Sequence, residues 1–263
     1  MKLEGVQAQD SAAWRSLLRT GNRIRVGLLT VVSLVTLSLM AVCMALVALV
    51  TLFRARRFYQ EVMARWLGWA MLRIWGIRVR VHQTEPFPET QTIYLSNHPS
   101  TLDVFVLISL RLPNTRFFMS SFLRWFPPLG VISTLIGVFH TPRQKYPKRR
   151  VRCFQAAERV LRKNAESAYL SPEGRRYPDG VGRFNKGAFH LATHLGVPIV
   201  PLYIHTPPEI TPGRGVDARP GVVHVFVKAP IQTRDWRIEE LDRNRAWVHE
   251  QFLDWEVEAR AQR

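Results

Sequence analysis

The chain has 263 residues and two cysteines, and its 37 lysine and arginine residues outnumber its 20 aspartate and glutamate residues. This length is sufficient for one α/β domain with appendages. The net charge of +17 predicts an anionic partner, such as membrane headgroups, a phosphorylated or thioester-carrier substrate, or nucleic acid. Cys43 lies in an apolar run and Cys153 in a basic stretch, so we expect neither a metal site nor a disulfide between them.

The first recognisable element is an apolar segment from Val26 to Phe53 that contains no charged residue. About 20 apolar residues suffice to cross a bilayer core of about 30 Å, so the segment is long enough to span a membrane. A buried core helix is the alternative. Arginines flank the segment on both sides and leave its orientation open, so a helix pair that dips into one leaflet also remains possible.

Residues 58–77 follow, with Trp66, Trp69 and Trp75 placed among arginines. Tryptophan combined with arginine is typical of a membrane–water interface, although a helix packed on the domain would also fit. These patterns divide the chain into three predicted regions: a basic N-terminal segment at 1–25, membrane-anchoring helices at 26–77, and an α/β domain at 78–263.

The remainder alternates between strand-like and helix-like patterns. Strands are predicted at 78–82, 92–96, 114–120, 136–141, 168–172, 197–204 and 221–230. Helices are predicted at 102–111, 146–164 and 186–196, followed by a C-terminal amphipathic helix with Val248, Phe252 and Trp255 on one face. This alternation predicts an α/β fold, a mixed sheet flanked by helices on both faces.

The first candidate site follows the second predicted strand, in the sequence SNHPSTLD. Pro99 disfavours helical geometry at His98, so we expect the histidine at the carboxyl end of the strand. Ser100 or Thr101 can cap the next helix, whose positive end favours an ionised Asp103. A carboxylate on one imidazole nitrogen leaves the other free as a base, which suits activation of a substrate hydroxyl. A core histidine beside a helix-start aspartate is the alternative.

The second candidate site is the sequence LSPEGRRYPDGVGRFNKGAF, in which a predicted strand ends at Pro172. Gly174 allows a ligand to approach the backbone closely. Arg175 and Arg176 suit bidentate contacts with phosphate oxygens, whereas a plain surface turn is the alternative. Ligands of open α/β sheets bind at the carboxyl ends of strands, so we expect both candidate sites at one edge of the sheet.

A third feature is the basic segment 141–164, which carries nine lysine or arginine residues and one glutamate. A solvated helix face would account for this composition. Beside a membrane anchor, an anionic membrane surface or an acidic acyl carrier is the partner that we favour.

In their order and separation, these motifs resemble the blocks of the glycerolipid acyltransferase family, and most closely its bacterial 1-acylglycerol-3-phosphate acyltransferases. The block N-H-x4-D is matched by Asn97, His98 and Asp103. The block F-P-E-G-T-R is matched by SPEGRR, and the V-P-I-V-P block by VPIVPLYI. The block that usually ends in I-D-R corresponds to GVFHTPR, with Arg143 displaced by one position.

The resemblance implies acyl transfer from acyl-CoA or acyl-ACP to the free hydroxyl of 1-acylglycerol-3-phosphate, which gives phosphatidic acid in phospholipid biosynthesis. It implies that His98 is the general base and that Asp103 orients it. It requires no metal and no cofactor beyond the acyl co-substrate. The substrate-binding residues that it implies are Asn97, Arg143, Glu173, Gly174, Arg175 and Arg176.

The chain departs from the family pattern in ways that bear on the acceptor. Ser171 and Arg175 replace the usual phenylalanine and threonine, so the arginine of that block aligns with Arg176. Where many relatives have a lysine pair after the third strand, this chain has Ser120 and Ser121. Another lysophospholipid or a lyso-ornithine lipid is therefore the alternative acceptor.

The charge and the anchor together predict a location. We expect the chain in a bacterial inner membrane, with the α/β domain on the cytoplasmic face against anionic lipid. A membrane-tethered nucleic-acid binder would explain the charge but would not need His98, Asp103 and Glu173 in this order. We therefore expect a lysophospholipid and an acyl donor as partners, and no nucleic acid.

Overall fold

The computed structural model describes residues 2–211 and 217–261, with side chains described from Asn22 onward. Its first helix, α1 (Lys2–Val50), includes the stretch Asn22–Val50, which is long and apolar enough to cross a membrane. The helix ends three residues before the predicted apolar segment does, because the chain turns at residues 51–53. The predicted basic N-terminal segment 1–25 lies largely outside the described side chains.

One face of α1 packs against the rest of the chain. Its buried residues recur every three or four positions, as one side of a helix requires: Ser33, Leu37, Ala41, Met44 and Ala48. The four apolar residues among them form one cluster with α3 (Arg65–Ile74) and α5 (Pro127–Leu135). The opposite face of α1 is exposed and apolar, with Leu39, Val42 and Leu46 each more than half exposed.

The segment after α1 is helical, but it is not uniform. It consists of α2 (Arg56–Phe58), a π-helical stretch at Tyr59–Ala64, and α3. Trp66 and Trp69 are 62% and 52% exposed, as an interfacial helix requires. Trp75 is buried instead, and its indole N–H donates to Ser33 Oγ at 3.0 Å, so its predicted place at the interface is wrong.

Seven strands among the described residues form one sheet in the order β1-β7-β6-β2-β5-β3-β4. All neighbouring pairs are parallel except β6 and β7, which confirms the predicted mixed sheet. The strands are β1 (Ile77–His82), β2 (Ile93–Ser96), β3 (Thr115–Ser120), β4 (Phe139–Thr141), β5 (Ser167–Leu170), β6 (Ile199–His205) and β7 (Gly221–Val227).

Helices cover both faces of the sheet. One face carries α3, α4 (Asp103–Ser109) and, beside them, α1 and α5. The other face carries α6 (Pro147–Asn164), α7 (Gly187–Leu195) and α8 (Leu241–Ala261). On α8, Val248 and Phe252 are fully buried and Trp255 packs against them, as the amphipathic pattern predicts.

Two local differences from the predicted elements have one cause. The helix α5 and a 3-10 turn at Ser121–Trp125 occupy the stretch between β3 and β4, where no helix was expected. Pro127 and Pro128 stand at the first positions of α5, where their lack of an N–H costs nothing. The helix ends at Leu135 and the chain turns at Gly137, so β4 begins only at Phe139 and is shorter than predicted.

Because β2, β3, β4, β5 and β6 are mutually parallel, their carboxyl ends lie along one side of the sheet, here called the carboxyl edge. The loops that contain both candidate sites follow β2 and β5, which are neighbours in the sheet. The fold therefore brings the two sequence motifs to adjacent positions.

Candidate active site

His98 and Asp103 form a hydrogen-bonded pair at the carboxyl edge. The distance between His98 Nδ1 and Asp103 Oδ2 is 2.7 Å. The histidine side chain is 30% exposed, whereas the aspartate side chain is 1% exposed. A carboxylate oxygen accepts hydrogen bonds, so Nδ1 carries the proton in the neutral ring and Nε2 keeps its lone pair. This arrangement presents a base at the protein surface and holds its partner inside.

Asp103 is the first residue of α4 and closes the loop that contains His98. Its Oδ2 also accepts the backbone N–H of Ser100 at 2.9 Å. The predicted cap is different in detail, because Ser100 Oγ accepts the N–H of Leu102, just before the helix, at 3.0 Å. Burial raises the pKa of Asp103 above its ordinary value, and the hydrogen bonds with His98 and Ser100 lower it only in part. The positive end of α4 was expected to favour the ionised carboxylate of Asp103, but desolvation of that carboxylate outweighs this effect.

The backbone of His98 is held on both sides by the second motif. Glu173 Oε2 accepts the N–H of His98 at 2.9 Å, and the N–H of Tyr177 donates to the carbonyl of His98 at 2.9 Å. The other oxygen, Glu173 Oε1, accepts the N–H of Gly182 at 2.9 Å. Burial raises the pKa of Glu173 to about 7. Glu173 therefore acts within the protein, where it fixes the loop that carries the base.

Asn97 is likewise occupied inside the protein. Its side-chain amide donates to the carbonyl of Ile204 at 2.9 Å, and its Oδ1 accepts the N–H of Ile204 at 2.8 Å. This two-bond pair continues the β2–β6 ladder beyond Ser96. The side chain is buried and both its nitrogen and its oxygen bond to Ile204, so it is occupied within the protein.

The two arginines of the second motif point to different partners. Gly174 adopts a left-handed φ of +67°, which turns the chain sharply after Glu173. The Nε of Arg175 donates to Tyr177 Oη at 2.6 Å, and its guanidinium lies 4.6 Å from the centre of that ring. Arg176 instead donates to Thr101 Oγ1, in the loop between His98 and Asp103. Arg176 is therefore the arginine beside the His98–Asp103 pair.

Arg143 lies on the carboxyl edge but further along it. It follows β4, which is three strands from β2, a separation of about 14 Å across the sheet. Its exposed guanidinium lies 5.9 Å from the ring centre of Phe122, just beyond β3. Ser120 ends β3 on the same edge and pairs with Thr141 of β4, so Arg143 is a cation close to Ser120.

Several supporting contacts were not predicted from the sequence. Ser96 Oγ lies 2.8 Å from Tyr169 Oη and donates to the carbonyl of Asn97 at 2.7 Å. Tyr177 and Gly182 act on the site through their backbone N–H groups, and such contacts leave no signal in side-chain identity. Among the described residues, no three His, Cys, Asp or Glu side chains are grouped in a way that could hold a metal ion.

Chemically, this arrangement combines an oriented base with neighbouring cations. The imidazole can accept a proton through Nε2 while Asp103 stabilises the resulting imidazolium. Arg176 and, at a greater distance, Arg143 supply charge for an anionic group. Among the described residues, no serine or cysteine side chain is hydrogen-bonded to the His98 ring, so the attacking oxygen would come from a bound molecule.

Comparisons with known proteins identify a family model and several relatives that this chain resembles. A family model described as Acyltransferase matches residues 78–205. A 1-acyl-sn-glycerol-3-phosphate acyltransferase from Saccharomyces cerevisiae is 30% identical over 210 residues, which cover 78% of this chain and 69% of that protein. The relative of the same name from Pseudomonas aeruginosa is 28% identical over 208 residues, covering 77% of this chain and 80% of that protein.

The fold is also similar to a solved structure, that of the 1-acyl-sn-glycerophosphate acyltransferase PlsC from Thermotoga maritima. The TM-score is 0.76 at 21% identity, and the match covers 92% of this chain and 98% of that one. A chloroplastic 1-acyl-sn-glycerol-3-phosphate acyltransferase from Arabidopsis thaliana is 28% identical to this chain over 87% of this chain's length. The match covers 65% of that relative, so this chain spans just under two thirds of its length. The matching family model and the yeast relative are both acyltransferases, and the fold is that of another. This chain therefore belongs to the acyltransferase family.

Proposed function

We propose that this protein transfers a fatty acyl group from acyl-CoA or acyl-ACP to the free hydroxyl of 1-acylglycerol-3-phosphate, producing phosphatidic acid. The observation that carries the proposal is the His98–Asp103 pair at the carboxyl edge, with Arg176 bound to the same loop. The names of the similar proteins support the same reaction. Phospholipid biosynthesis is the process that this product serves.

The proposed reaction proceeds in one acyl-transfer sequence without an acyl-enzyme. His98 Nε2 takes the proton of the acceptor hydroxyl, and the hydroxyl oxygen attacks the thioester carbonyl at the same time. The new C–O bond gives a tetrahedral intermediate, from which the C–S bond breaks. The imidazolium returns its proton to the departing thiolate, so the base is regenerated. Asp103 stabilises the charged ring throughout, and Asn97 and Glu173 hold the loop in place.

The acceptor headgroup is the part of the proposal with a second candidate. Arg176 and Arg143 suit the oxygens of a phosphomonoester, which favours 1-acylglycerol-3-phosphate. However, Ser120 and Ser121 stand where many relatives have lysines, and both are uncharged. A lysophospholipid with another head, or a lyso-ornithine lipid, is therefore the alternative acceptor.

We also propose that α1 dips into one leaflet and does not cross the bilayer. The stretch Asn22–Val50 is about 43 Å long, and its buried face packs on α3 and α5 from Ser33 to Ala48. A spanning helix in this arrangement would carry those packed helices into the hydrocarbon. The exposed apolar face of α1 and the exposed Trp66 and Trp69 would instead enter the membrane together. The basic domain would then lie against the anionic cytoplasmic leaflet of the inner membrane.

Mass spectrometry of reaction products tests this proposal most directly. The purified full-length chain in detergent would be given a mixture of lyso-lipids with acyl-CoA and acyl-ACP as donors. We expect phosphatidic acid as the main product, and at least about a hundredfold less of it with the His98→Ala variant. A product from another lyso-lipid would favour the second candidate, and no acylated product from any acceptor would refute the proposed reaction.

A further inference from the structure

The helix α6 carries an unusual charge distribution. Its buried side includes Ala157 and Leu161, and Phe154 packs against the same core. The opposite side carries four cations over about 22 Å of helix. This surface, here called the α6 stripe, consists of Lys148, Arg152, Arg159 and Lys163, all exposed.

The cations of the α6 stripe have no acidic partners among the described residues. The one acidic residue of the helix is Glu158. It pairs with Arg162 and His194, which do not belong to the stripe. Like charges four residues apart, as in Lys148 with Arg152 and Arg159 with Lys163, destabilise the isolated helix. An anionic partner that lies along the helix would relieve this repulsion.

The position of α6 argues against a membrane as that partner. The apolar surfaces of α1 and α3 lie on one face of the sheet, whereas α6 packs on the other. If α1 and α3 enter the bilayer, the α6 stripe faces away from it. The apolar side of α6 is also buried in the core, so this helix has no apolar face left to insert.

The shape of the stripe argues against a small phosphorylated ligand. Small-molecule sites are concave, with polar groups that converge on the ligand. The four side chains of the α6 stripe diverge from the outer surface of a helix. A row of carboxylates on the surface of another protein matches such a stripe better, because the charges can pair along its length.

The N-terminal end of α6 adjoins the candidate active site. The helix begins six residues after β4, which ends on the carboxyl edge with β2. In the loop between them, the amide nitrogen of Gln144 lies 3.3 Å from where a Cβ on Gly174 would be. Gly174 directly follows Glu173, which holds the His98 loop. A protein docked on the α6 stripe would therefore lie next to the site of acyl transfer.

We infer that the α6 stripe is the docking surface for an acidic acyl carrier protein that delivers the acyl group. The inference rests on the proposed acyl transfer and assigns the donor to the aqueous side of the domain. The acceptor then enters from the membrane side, past α1 and α3, so the two substrates reach His98 from opposite faces of the sheet.

Binding and kinetics measured on one set of variants test the inference. The α6 variant carries Lys148→Glu, Arg152→Glu and Arg159→Glu. The matched control carries Arg78→Glu, Arg80→Glu and Arg234→Glu, the same charge change at exposed positions outside α6, two of them on β1 at the opposite end of the sheet from β4. The probe is a fluorescently labelled holo-acyl carrier protein, titrated with full-length enzyme in detergent. Circular dichroism checks that both variants fold, and the single variant Arg152→Glu serves if the triple variant does not.

We expect the α6 variant to bind the carrier about tenfold more weakly than the control does. The KM for acyl-carrier donor should rise to a similar extent, whereas the KM for acyl-CoA should stay unchanged. Equal losses in both variants, or carrier binding that the α6 variant retains, would overturn the inference. Loss of binding to anionic vesicles in place of the carrier would also overturn it, in favour of a membrane contact.

The two proposals can fail separately in this experiment. Carrier binding that depends on the α6 stripe, without acyl transfer from any donor, would refute the proposed reaction and leave the interface intact. Acyl transfer from acyl-CoA without any carrier binding would support the reaction and refute the interface.

Discussion

Glu173 accepts the backbone N–H of His98 at 2.9 Å, although 75 residues separate the two along the chain. This bond joins the loop after β2 to the loop after β5, and the N–H of Tyr177 closes the same connection from the other side of His98. The proposed base is thus held through its backbone by one motif and through its ring by Asp103. The second motif has a positioning task in addition to any contact of its arginines with a substrate.

The first prediction concerns the proposed base and its partner. His98→Ala should lower kcat by roughly 10²- to 10⁴-fold, because it removes the Nε2 that accepts the hydroxyl proton. Asp103→Asn should also lower kcat strongly, because the amide can stabilise the wrong tautomer of the ring. Initial rates with lysophosphatidic acid would show this. His194→Ala, a change at an exposed histidine far from the site, is the control and should leave the rate unchanged.

The second prediction distinguishes the two neighbouring arginines. Arg176 reaches the loop between His98 and Asp103, whereas Arg175 lies on Tyr177. Arg176→Ala should therefore raise the KM for a phosphomonoester acceptor about tenfold or more, as expected for loss of a charge-assisted hydrogen bond. Arg175→Ala should have a much smaller effect. The reverse order in acceptor titrations would assign the phosphate contact to Arg175.

The third prediction concerns Asn97 as a positioning residue. In Asn97→Asp, a carboxylate oxygen replaces the donor that faces the carbonyl of Ile204. The free energy of unfolding should fall by about 1–3 kcal/mol, since a buried acceptor loses its partner. The kcat should also fall while the KM for the acceptor stays the same. The control is Asn114→Asp, whose amide bonds a carbonyl in an exposed position. A raised KM with normal stability would instead indicate a substrate contact.

The fourth prediction is a pH dependence of stability that arises from Glu173. Burial raises the pKa of this carboxyl from its ordinary 4.5 to about 7, so the folded state holds the proton more tightly than the unfolded state does. Its contribution of about 3 kcal/mol is therefore fully present below pH 4.5 and is lost as the pH rises through 7. Thermal unfolding of the wild type and of Glu173→Gln across this range measures it.

In that experiment the difference in unfolding midpoint between wild type and Glu173→Gln should shrink as the pH rises. Glutamine cannot titrate, so the pH dependence contributed by this position disappears in the variant. Glutamine also places an N–H donor against one of the two backbone N–H groups that Glu173 accepts. The variant protein should therefore be less stable than the wild type at low pH. A constant difference at all pH values would contradict the raised pKa.

The fifth prediction concerns the proposed membrane face. Trp66 is 62% exposed on α3, beside the exposed apolar face of α1. Trp66→Ala should weaken binding to anionic vesicles by about one order of magnitude, because the indole would leave the interface. Trp247→Ala on α8, where the tryptophan is 46% exposed, is the matched control and should bind normally. Vesicle sedimentation measures both, and equal losses would place the membrane elsewhere.

Much of the fold could be predicted because strands and helices leave local patterns. Each predicted strand overlaps an observed one, and the proline after His98 correctly predicted where β2 ends. The helix α5 was missed because its sequence, PPLGVISTL, is apolar on nearly all sides and lies between two apolar strands. Trp75 was misplaced because composition shows that a tryptophan is present but not which side of the helix it occupies.

The sequence by itself determined the chemistry available: an imidazole, a carboxylate and two arginines in loops that follow strands, beside a long apolar segment. Only the tertiary structure decided the tasks of Asn97 and Glu173, since both bond to backbone groups that are remote along the chain and do not depend on residue type. It also decided which arginine approaches His98, and it placed α1 and α6 on opposite faces of the sheet. Such choices depend on strand order, which arises from long-range packing and leaves no local periodicity in a single sequence.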